Sequence, residues 1–316
     1  MTPSTPAVTT AAAASPSQVP APNPSSATPL NPRKGRRGIG NGRLSPGNAL
    51  GTGGQGTVSA VSGRPDLVLK TFARPIAGGV REFQQLIDRG ERVQRVLAAS
   101  KVDLCWPEEV HGSATDLEGY VMPRLQTSNY FPVATKGGIK QIERTLDWAI
   151  WTSNAFQVPF KVTDADRLEI VRCVARWLSA MHDTDVAYGD VSFKNLCFSL
   201  DPEVRVAVFD FDSARVLGSR SFTAQETAHS PDWHDPYASS GFAATLDTDR
   251  YKFALLAFRL LVSRQLGGDL DPANVPVAVS GLSAAQTHRL RTLWSRAAGA
   301  SGSRPSMREW LDALAA

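Results

Sequence analysis

The chain has 316 residues, of which 42% are hydrophobic, enough for one large domain or two modest ones with a sizeable core. Lys and Arg outnumber Asp and Glu by 34 to 30, but residues 1–47 hold five of the basic residues and no acidic one. The remainder is almost neutral, which argues against a basic body built to bind nucleic acid.

The three cysteines, Cys105, Cys173 and Cys197, are far apart and form no C-x-x-C pair, so neither a disulfide framework nor a structural zinc site is predicted. The longest apolar stretch, residues 253–262, contains Arg259 and is too short to span a bilayer. No signal peptide is evident at the start of the chain. These observations predict a cytoplasmic protein with no membrane contact.

The first 32 residues are rich in Pro, Ala, Ser and Thr, a composition that cannot bury enough apolar surface to offset the entropy of ordering. The basic, glycine-dotted segment 33–43 continues this pattern. We therefore predict a disordered tail over residues 1–47. Its five charges predict at most a weak, salt-sensitive contact with nucleic acid or another polyanion.

The region after the tail shows strand signals. A glycine cluster at 51–56 leads into a β-rich run, and a second run at 67–72 follows a Gly-containing turn, which predicts a hairpin. Residues 80–98 have helical periodicity with Gly90 as a potential break. Further strands are expected near 109–112 and 119–125.

The second half of the chain has a helical pattern. Apolar residues recur at helical spacing from Asp164 to Met181, and another helix is expected at 248–262. The aromatic residues between 130 and 160 indicate the packing of an inserted helix or, alternatively, a docking site. The sequence thus predicts a strand-rich part followed by a helix-rich part.

Two early motifs carry phosphate-binding chemistry. Residues 51–58 fit G-x-G-x-x-G-x-V, in which glycines let backbone N–H groups approach a phosphate. A glycine-rich linker would look similar, but the predicted hairpin favours a loop lying over phosphates. Lys70 ends the next apolar run, where a buried lysine needs a partner and can serve as a phosphate ligand.

Two later motifs supply oxygen atoms. Asp190 is followed five residues later by Asn195, and Asp210 emerges from a short apolar strand. Such groups can accept a proton and bind hard cations. The ordered set of glycine loop, lysine, Asp-x4-Asn and strand-Asp is difficult to obtain by chance.

This ordered set resembles the protein kinase-like superfamily over about residues 48–315. Asp210-Phe211-Asp212 matches the metal-binding D-F-G triplet with its glycine replaced. His182, Asp249 and the Arg304-Pro305 segment match further family positions. Trp106-Pro107 and the Met122-Pro123-Arg124 run are similar to bacterial kinase domains often joined to a helix-hairpin-helix DNA-binding module.

The resemblance implies an α+β, two-lobed fold with a small antiparallel β-rich N-lobe at 48–125 and a larger helical C-lobe at 126–316. It also implies ATP and Mg2+ as cofactors. The implied catalytic residues are Asp190, Lys70, Asn195 and Lys194, and the implied metal ligands are Asn195, Asp210 and Asp212. The implied nucleotide-binding residues are Gly51, Gly53, Gly54, Gln55, Gly56, Val58, Val68, Lys70, Glu82, Glu91, Met122, Pro123, Leu125 and Cys197.

Several positions depart from the family pattern. Gly189 precedes the catalytic Asp190 where an arginine that reads a phosphorylated activation loop is usual. Ser192 replaces a lysine that contacts the γ-phosphate, and Lys194 is its expected substitute. Asp212 is either an added metal ligand or a turn residue without consequence.

One family residue has two candidates, because either Glu82 or Glu91 could be the helix glutamate that pairs with Lys70. The function implied is ATP-dependent phosphoryl transfer to Ser or Thr of protein substrates, including the chain itself. The alternatives are a small-molecule phosphotransferase of the aminoglycoside or choline type, because Gly189-Asp190 also resembles their motif, and an ATP-binding pseudokinase scaffold.

Overall fold

A computed structural model describes residues 45–150, 158–219, 230, 232–238 and 244–315. The strands are β1 Pro46–Gly53, β2 Gly56–Val61, β3 Arg64–Ala77, β4 Val102–Leu104, β5 Glu109–Gly112, β6 Asp116–Pro123, β7 Tyr130–Thr135, β8 Gly138–Glu143, β9 Val186–Ala187, β10 Leu196–Ser199, β11 Arg205–Val208 and β12 Arg215–Val216. The α-helices are α1 Val80–Leu97, α2 Asp164–His182, α3 Leu246–Phe258, α4 Ala284–Ala297 and α5 Met307–Leu314.

The first half forms an antiparallel sheet in the order β1-β2-β3-β6-β5, flanked by α1. The predicted hairpin is present as β2 and β3. Strand β1 begins at Pro46, inside the segment expected to be tail. Most of the predicted tail, residues 1–44, lies outside the described residues.

Helix α1 runs through Gly90 without the expected break. A Cβ atom at Gly90 would lie 2.3 Å from the indole Nε1 of Trp106, so glycine lets the helix pack directly on this ring. Trp106 in turn packs on Phe211, with ring centroids 4.8 Å apart. The glycine is therefore a close-packing residue, and it links α1 to the Asp-Phe-Asp segment.

The second half is mainly helical. Helix α2 is largely buried, because it packs against helices α1, α3 and α5 and against strands β4, β9 and β11. Serine or threonine side chains form capping boxes at the starts of four helices, which defines where these helices begin; the caps are Thr163, Thr245, Ser283 and Ser306. The expected helix at 248–262 is α-helical only to Phe258 and continues as a π-helical turn, Arg259–Ser263.

The segment after β6 forms a hairpin of β7 and β8 instead of the expected inserted helix. Phe131 of this hairpin packs edge-on against Trp148 and Phe160, so these aromatic residues have packing roles. Trp151 and Phe156 lie outside the described residues. The chain reverses at Lys136 and Gly137, and the hairpin closes with the pairing of Thr135 and Gly138.

All three cysteines are free thiols and buried. Burial raises the pKa of Cys105 to about 12 and that of Cys173 to about 11. Within the described part of the chain, no helix has the length and apolar character needed to cross a membrane.

Candidate active site

A cavity of about 480 Å³ lies between the sheet and the helical half. Most residues proposed from the sequence line it: Gly51, Gly53, Gly54, Gln55, Gly56, Val58, Val68, Lys70, Met122, Pro123, Leu125, Asp190, Lys194, Asn195 and Asp210. The cavity is thus covered by the glycine loop on one side and bordered by the Asp190 and Asp210 loops on the other.

The Asp190 loop is held by a network of hydrogen bonds. The Asn195 side-chain amide donates to the carbonyl and to the carboxylate of Asp190, both at 2.8 Å. Behind it, the buried Asp249 carboxylate of α3 accepts from the backbone N–H groups of Tyr188, at 2.7 Å, and Gly189, at 2.8 Å. These charge-assisted bonds fix the position of the Asp190 carboxylate relative to the cavity.

Gly189 has a φ of +87°. A Cβ atom there would lie 2.7 Å from the Ala244 Cβ and 2.8 Å from the Ser213 carbonyl oxygen. The absence of an arginine at this position therefore has a structural cause, since the backbone turn and its neighbours leave room only for glycine. The Gly189 carbonyl accepts a 2.6 Å hydrogen bond from the buried Lys252 ammonium.

A serine from the segment before α3 contacts the same carboxylate. The Ser230 Oγ lies 3.2 Å from Asp190 Oδ2, to which its hydroxyl can donate, and 3.2 Å from the Ser192 Oγ. Ser192 is fully buried, whereas the Lys194 side chain is exposed at the cavity wall. A hydroxyl can thus reach the carboxylate, as proton abstraction requires.

Asp210 follows β11 and adopts a left-handed conformation with φ of +62°. Its side chain and that of Asn195 line the same cavity. The Asn195 amide nitrogen is occupied by Asp190, so its oxygen is the atom available toward a ligand. A carboxylate and an amide oxygen are the hard donors that suit Mg2+, so these two residues fit the expected metal.

Lys70 lies on β3 and is only 6% exposed. Its ammonium is 2.8 Å from Asp210 Oδ1 and 2.6 Å from Asp212 Oδ2. Burial works to lower the pKa of Lys70, but the two carboxylates outweigh it and raise the pKa above its ordinary value. The lysine is therefore held as a cation at the cavity.

Four expected residues do not line this cavity in the described structure. Glu82 pairs with Arg81 at 2.8 Å, and Glu91 is 81% exposed and pairs with Arg95 at 3.4 Å. The ion pairs of Lys70 described above are formed with Asp210 and Asp212 instead. Cys197 is fully buried beneath the cavity wall, on β10.

The fourth such residue is Asp212, whose carboxylate points into the interior and accepts from the Tyr120 hydroxyl at 2.8 Å. Burial and the neighbouring Asp210 raise the pKa of Asp212, while Lys70 opposes this effect. The sequence predicted either a metal ligand or a turn residue without consequence at Asp212. Its buried position beside Tyr120 and Lys70 fits neither interpretation.

The connection between the two halves provides the remaining wall. Met122 and Pro123 end β6, and Leu125 follows them. Strand pairing places Val68 opposite Met122 and Val58 opposite Lys70. The side chains of Val58, Val68, Met122 and Leu125 form an apolar slot of the kind that accepts a flat base.

Sequence reasoning missed the contribution of the β7–β8 hairpin. Tyr130 and Glu143 face each other across this hairpin, and both line the cavity together with Cys105. Burial raises the pKa of Glu143 and that of Tyr130 above their ordinary values. The Gly137-Gly138 turn was the available signal for the hairpin, but nothing in the sequence placed its ends in the cavity.

A buried ion pair anchors the segment before α3. The Arg304 guanidinium binds both carboxylate oxygens of Asp235, one of them at 2.8 Å, and the two side chains are 0% and 3% exposed. Arg304 thus joins the segment that precedes α5 to the segment that precedes α3.

The comparisons with known proteins define the class of this fold. The kinase domain of PknI from Mycobacterium tuberculosis matches with a TM-score of 0.50 and 19% identity, covering 88% of this chain and 97% of that one. The expected two-lobed protein kinase-like fold, with a small antiparallel sheet and a larger helical part, is thereby confirmed.

One curated sequence is similar over a shorter range. The serine/threonine-protein kinase CTR1 of Arabidopsis thaliana is 27% identical over 115 residues, which are 36% of this chain and 14% of that protein. The chain thus spans a small part of this relative. No protein-family model matches the chain.

Proposed function

We propose that this chain is an ATP-dependent protein kinase that transfers the γ-phosphate of ATP to Ser or Thr hydroxyls of proteins. The observation that carries the proposal is the convergence of Lys70, Asp190, Asn195 and Asp210 on one cavity beneath a glycine-rich loop. The similarity to CTR1, a serine/threonine-protein kinase, supports the same acceptor class.

In this proposal, Asp190 orients the attacking hydroxyl and accepts its proton as the new oxygen–phosphorus bond forms, while the bond from the γ-phosphorus to the bridging oxygen breaks and ADP leaves. The Asn195 amide bonds, at 2.8 Å, hold the carboxylate in one orientation for this step. Because the Ser230 hydroxyl already lies 3.2 Å from Asp190, the geometry supports a protein hydroxyl as acceptor, including one from this chain.

Phosphate binding is assigned to the glycine-loop N–H groups and to the Lys70 ammonium. Asn195 and Asp210 are proposed to hold Mg2+, which when bound neutralises phosphate charge. Lys194, exposed at the cavity wall, is proposed to contact the γ-phosphate.

Base binding is assigned to the apolar slot. The Pro123 carbonyl is proposed to accept from the adenine amino group, because only the carbonyl of a proline is needed there. The Leu125 N–H is proposed to donate to the ring. Val58 and Val68 are proposed to cover the upper face of the base. Tyr130, which lines the cavity, is proposed for the lower face in place of Cys197, which is fully buried.

We also propose that the chain belongs to a particular group of bacterial kinase-like proteins. The Trp106-Pro107 and Met122-Pro123-Arg124 features support the bacterial kinase-like group that often carries helix-hairpin-helix modules.

A cytoplasmic location is supported by the three buried free thiols. The protein substrates themselves are not identified by these features.

Transfer of label from γ-labelled ATP with Mg2+ tests the proposal, with phosphorylated residues mapped by mass spectrometry. We expect label on Ser or Thr, and a loss of roughly 100- to 10,000-fold in Asp190→Asn, the range for a general base. Lys70→Met should also lose transfer. Asp183→Asn and Lys136→Met are matched controls, because both side chains are exposed.

The outcomes separate the alternatives. Turnover of ATP with a metabolite mixture but no labelled protein would indicate a small-molecule phosphotransferase. Binding of ATP without any transfer would indicate a scaffold. Transfer that persists in Asp190→Asn would remove Asp190 from its assigned role.

A further inference from the structure

The buried Lys70 ammonium needs compensating negative charge, because a cation removed from water is costly unless it is paired. The structure supplies that charge from one segment, with Asp210 at 2.8 Å and Asp212 at 2.6 Å. Both carboxylates follow β11, and neither comes from helix α1. The partner of Lys70 therefore comes from the helical half of the molecule.

The two carboxylates differ in their surroundings. Asp210 lines the cavity, where its oxygens are available to a ligand. Asp212 is 2% exposed and directed away from the cavity toward Lys70 and Tyr120. A ligand in the cavity can therefore reach Asp210, whereas Asp212 is buried against the lysine.

The position of Asp212 is itself fixed. The Tyr120 hydroxyl donates to Asp212 Oδ1 at 2.8 Å, which leaves Oδ2 for the lysine. Tyr120 is fully buried, pairs with Lys70 across strands β3 and β6, and packs on Phe83 of α1 with ring centroids 4.9 Å apart. The tyrosine thus holds the lysine and its carboxylate in a single arrangement.

On α1, Glu82 forms an ion pair with Arg81 at 2.8 Å, and Glu91 forms one with Arg95 at 3.4 Å. We propose that Asp212 is the positioning residue for Lys70, held by Tyr120, in place of a carboxylate on α1. The orientation of the lysine is then set by the segment that also carries Asp210, and not by an ion pair with a carboxylate of α1. This inference rests on the proposed phosphate-binding role of Lys70.

The first test needs no nucleotide. Urea unfolding of Lys70→Met, Asp212→Asn and the double variant forms a cycle that measures the coupling between the two side chains. We expect the combined shift in midpoint to be clearly smaller than the sum of the separate shifts. The matched cycle of Lys70→Met with Glu82→Gln should be additive. Additivity for Asp212 together with coupling for Glu82 would overturn the proposal.

The second test measures binding of ATP with Mg2+ by calorimetry. Asp212→Asn keeps the side-chain volume and can still accept from Tyr120, and we expect it to weaken binding about tenfold, as the loss of a charged partner predicts. In the Lys70→Met background the same substitution should have no further effect. A persistent effect there would indicate a merely structural role and would overturn the proposal.

Tyr120→Phe is the replacement variant for the binding test if Asp212→Asn fails to fold, because it removes only the hydroxyl that orients Asp212. It should weaken binding in the same direction, by a smaller factor, and unchanged affinity would count against the proposal. If the wild-type chain binds ATP but transfers no phosphate, the proposed function fails while both cycles still decide the role of Asp212.

Discussion

Gly90 of helix α1 offers a sharp test of how the helix is coupled to the site. In an ordinary helix interior, replacing glycine with alanine stabilises the fold by about 1 kcal/mol. Here the new Cβ would lie 2.3 Å from Nε1 and 2.4 Å from Cδ1 of Trp106. That indole ring is 1% exposed and rests against Phe211, so it has little room to retreat.

The gain in helix propensity and the cost of overpacking can be compared in magnitude. Overpacking a well-filled core costs about 1–3 kcal/mol, and contacts this far below van der Waals distance belong to the upper part of that range. After the propensity gain of about 1 kcal/mol is subtracted, Gly90→Ala should lower the free energy of unfolding by roughly 1–2 kcal/mol.

Urea unfolding measured by tryptophan fluorescence and by circular dichroism provides the assay. Gln94→Ala is the control, because Gln94 is exposed on the same helix and its replacement should change stability by no more than about 0.5 kcal/mol. Trp106→Phe should relieve the clash, so the double variant should be more stable than the sum of the single changes predicts.

Two results would refute this reasoning. Gly90→Ala could be more stable than the wild type, which would show that Trp106 moves freely. Alternatively, the double variant could be strictly additive, which would place the cost of the alanine somewhere other than the indole.

Two further predictions concern buried charges. Arg304→Ala leaves the Asp235 carboxylate buried without its partner and should cost about 3–5 kcal/mol in urea unfolding; a loss below about 1 kcal/mol would contradict the burial of the pair. Burial raises the pKa of Glu143 above its ordinary value of 4.5, so the folded chain binds this proton more tightly than the unfolded chain and loses stability as pH rises. Glu143→Gln should therefore raise the free energy of unfolding by on the order of 1 kcal/mol at about pH 8. Thermal scans should show this gain disappearing as pH falls below 4.5, and a gain independent of pH would contradict the raised pKa of Glu143.

The parts of the fold that could be predicted from sequence are those specified by local signals. Alternating apolar residues around Gly63 define the β2–β3 hairpin, and helical spacing after Thr163 defines α2. The cavity-lining positions of Lys70 and Asp210 also followed from the resemblance, because an ordered motif retains its placement in the fold.

What sequence could not supply depends on contacts between distant segments. Gly90 is consistent with a break in the helix until Trp106 is seen beside it. Asp212 is consistent with a turn until Tyr120, which is 92 residues away, is found to hold it. Glu143 carries no motif, and only the pairing of β7 with β8 brings it to the cavity.

The backbone at Gly189 also limits how this protein can change over evolutionary time. With φ at +87° and a Cβ position 2.8 Å from the Ser213 carbonyl, any side chain introduced there meets both strain and collision. A single substitution therefore cannot install the arginine with which related folds read a phosphorylated loop. A side chain at position 189 would require a rebuilt backbone turn together with changes at Ala244 and Ser213.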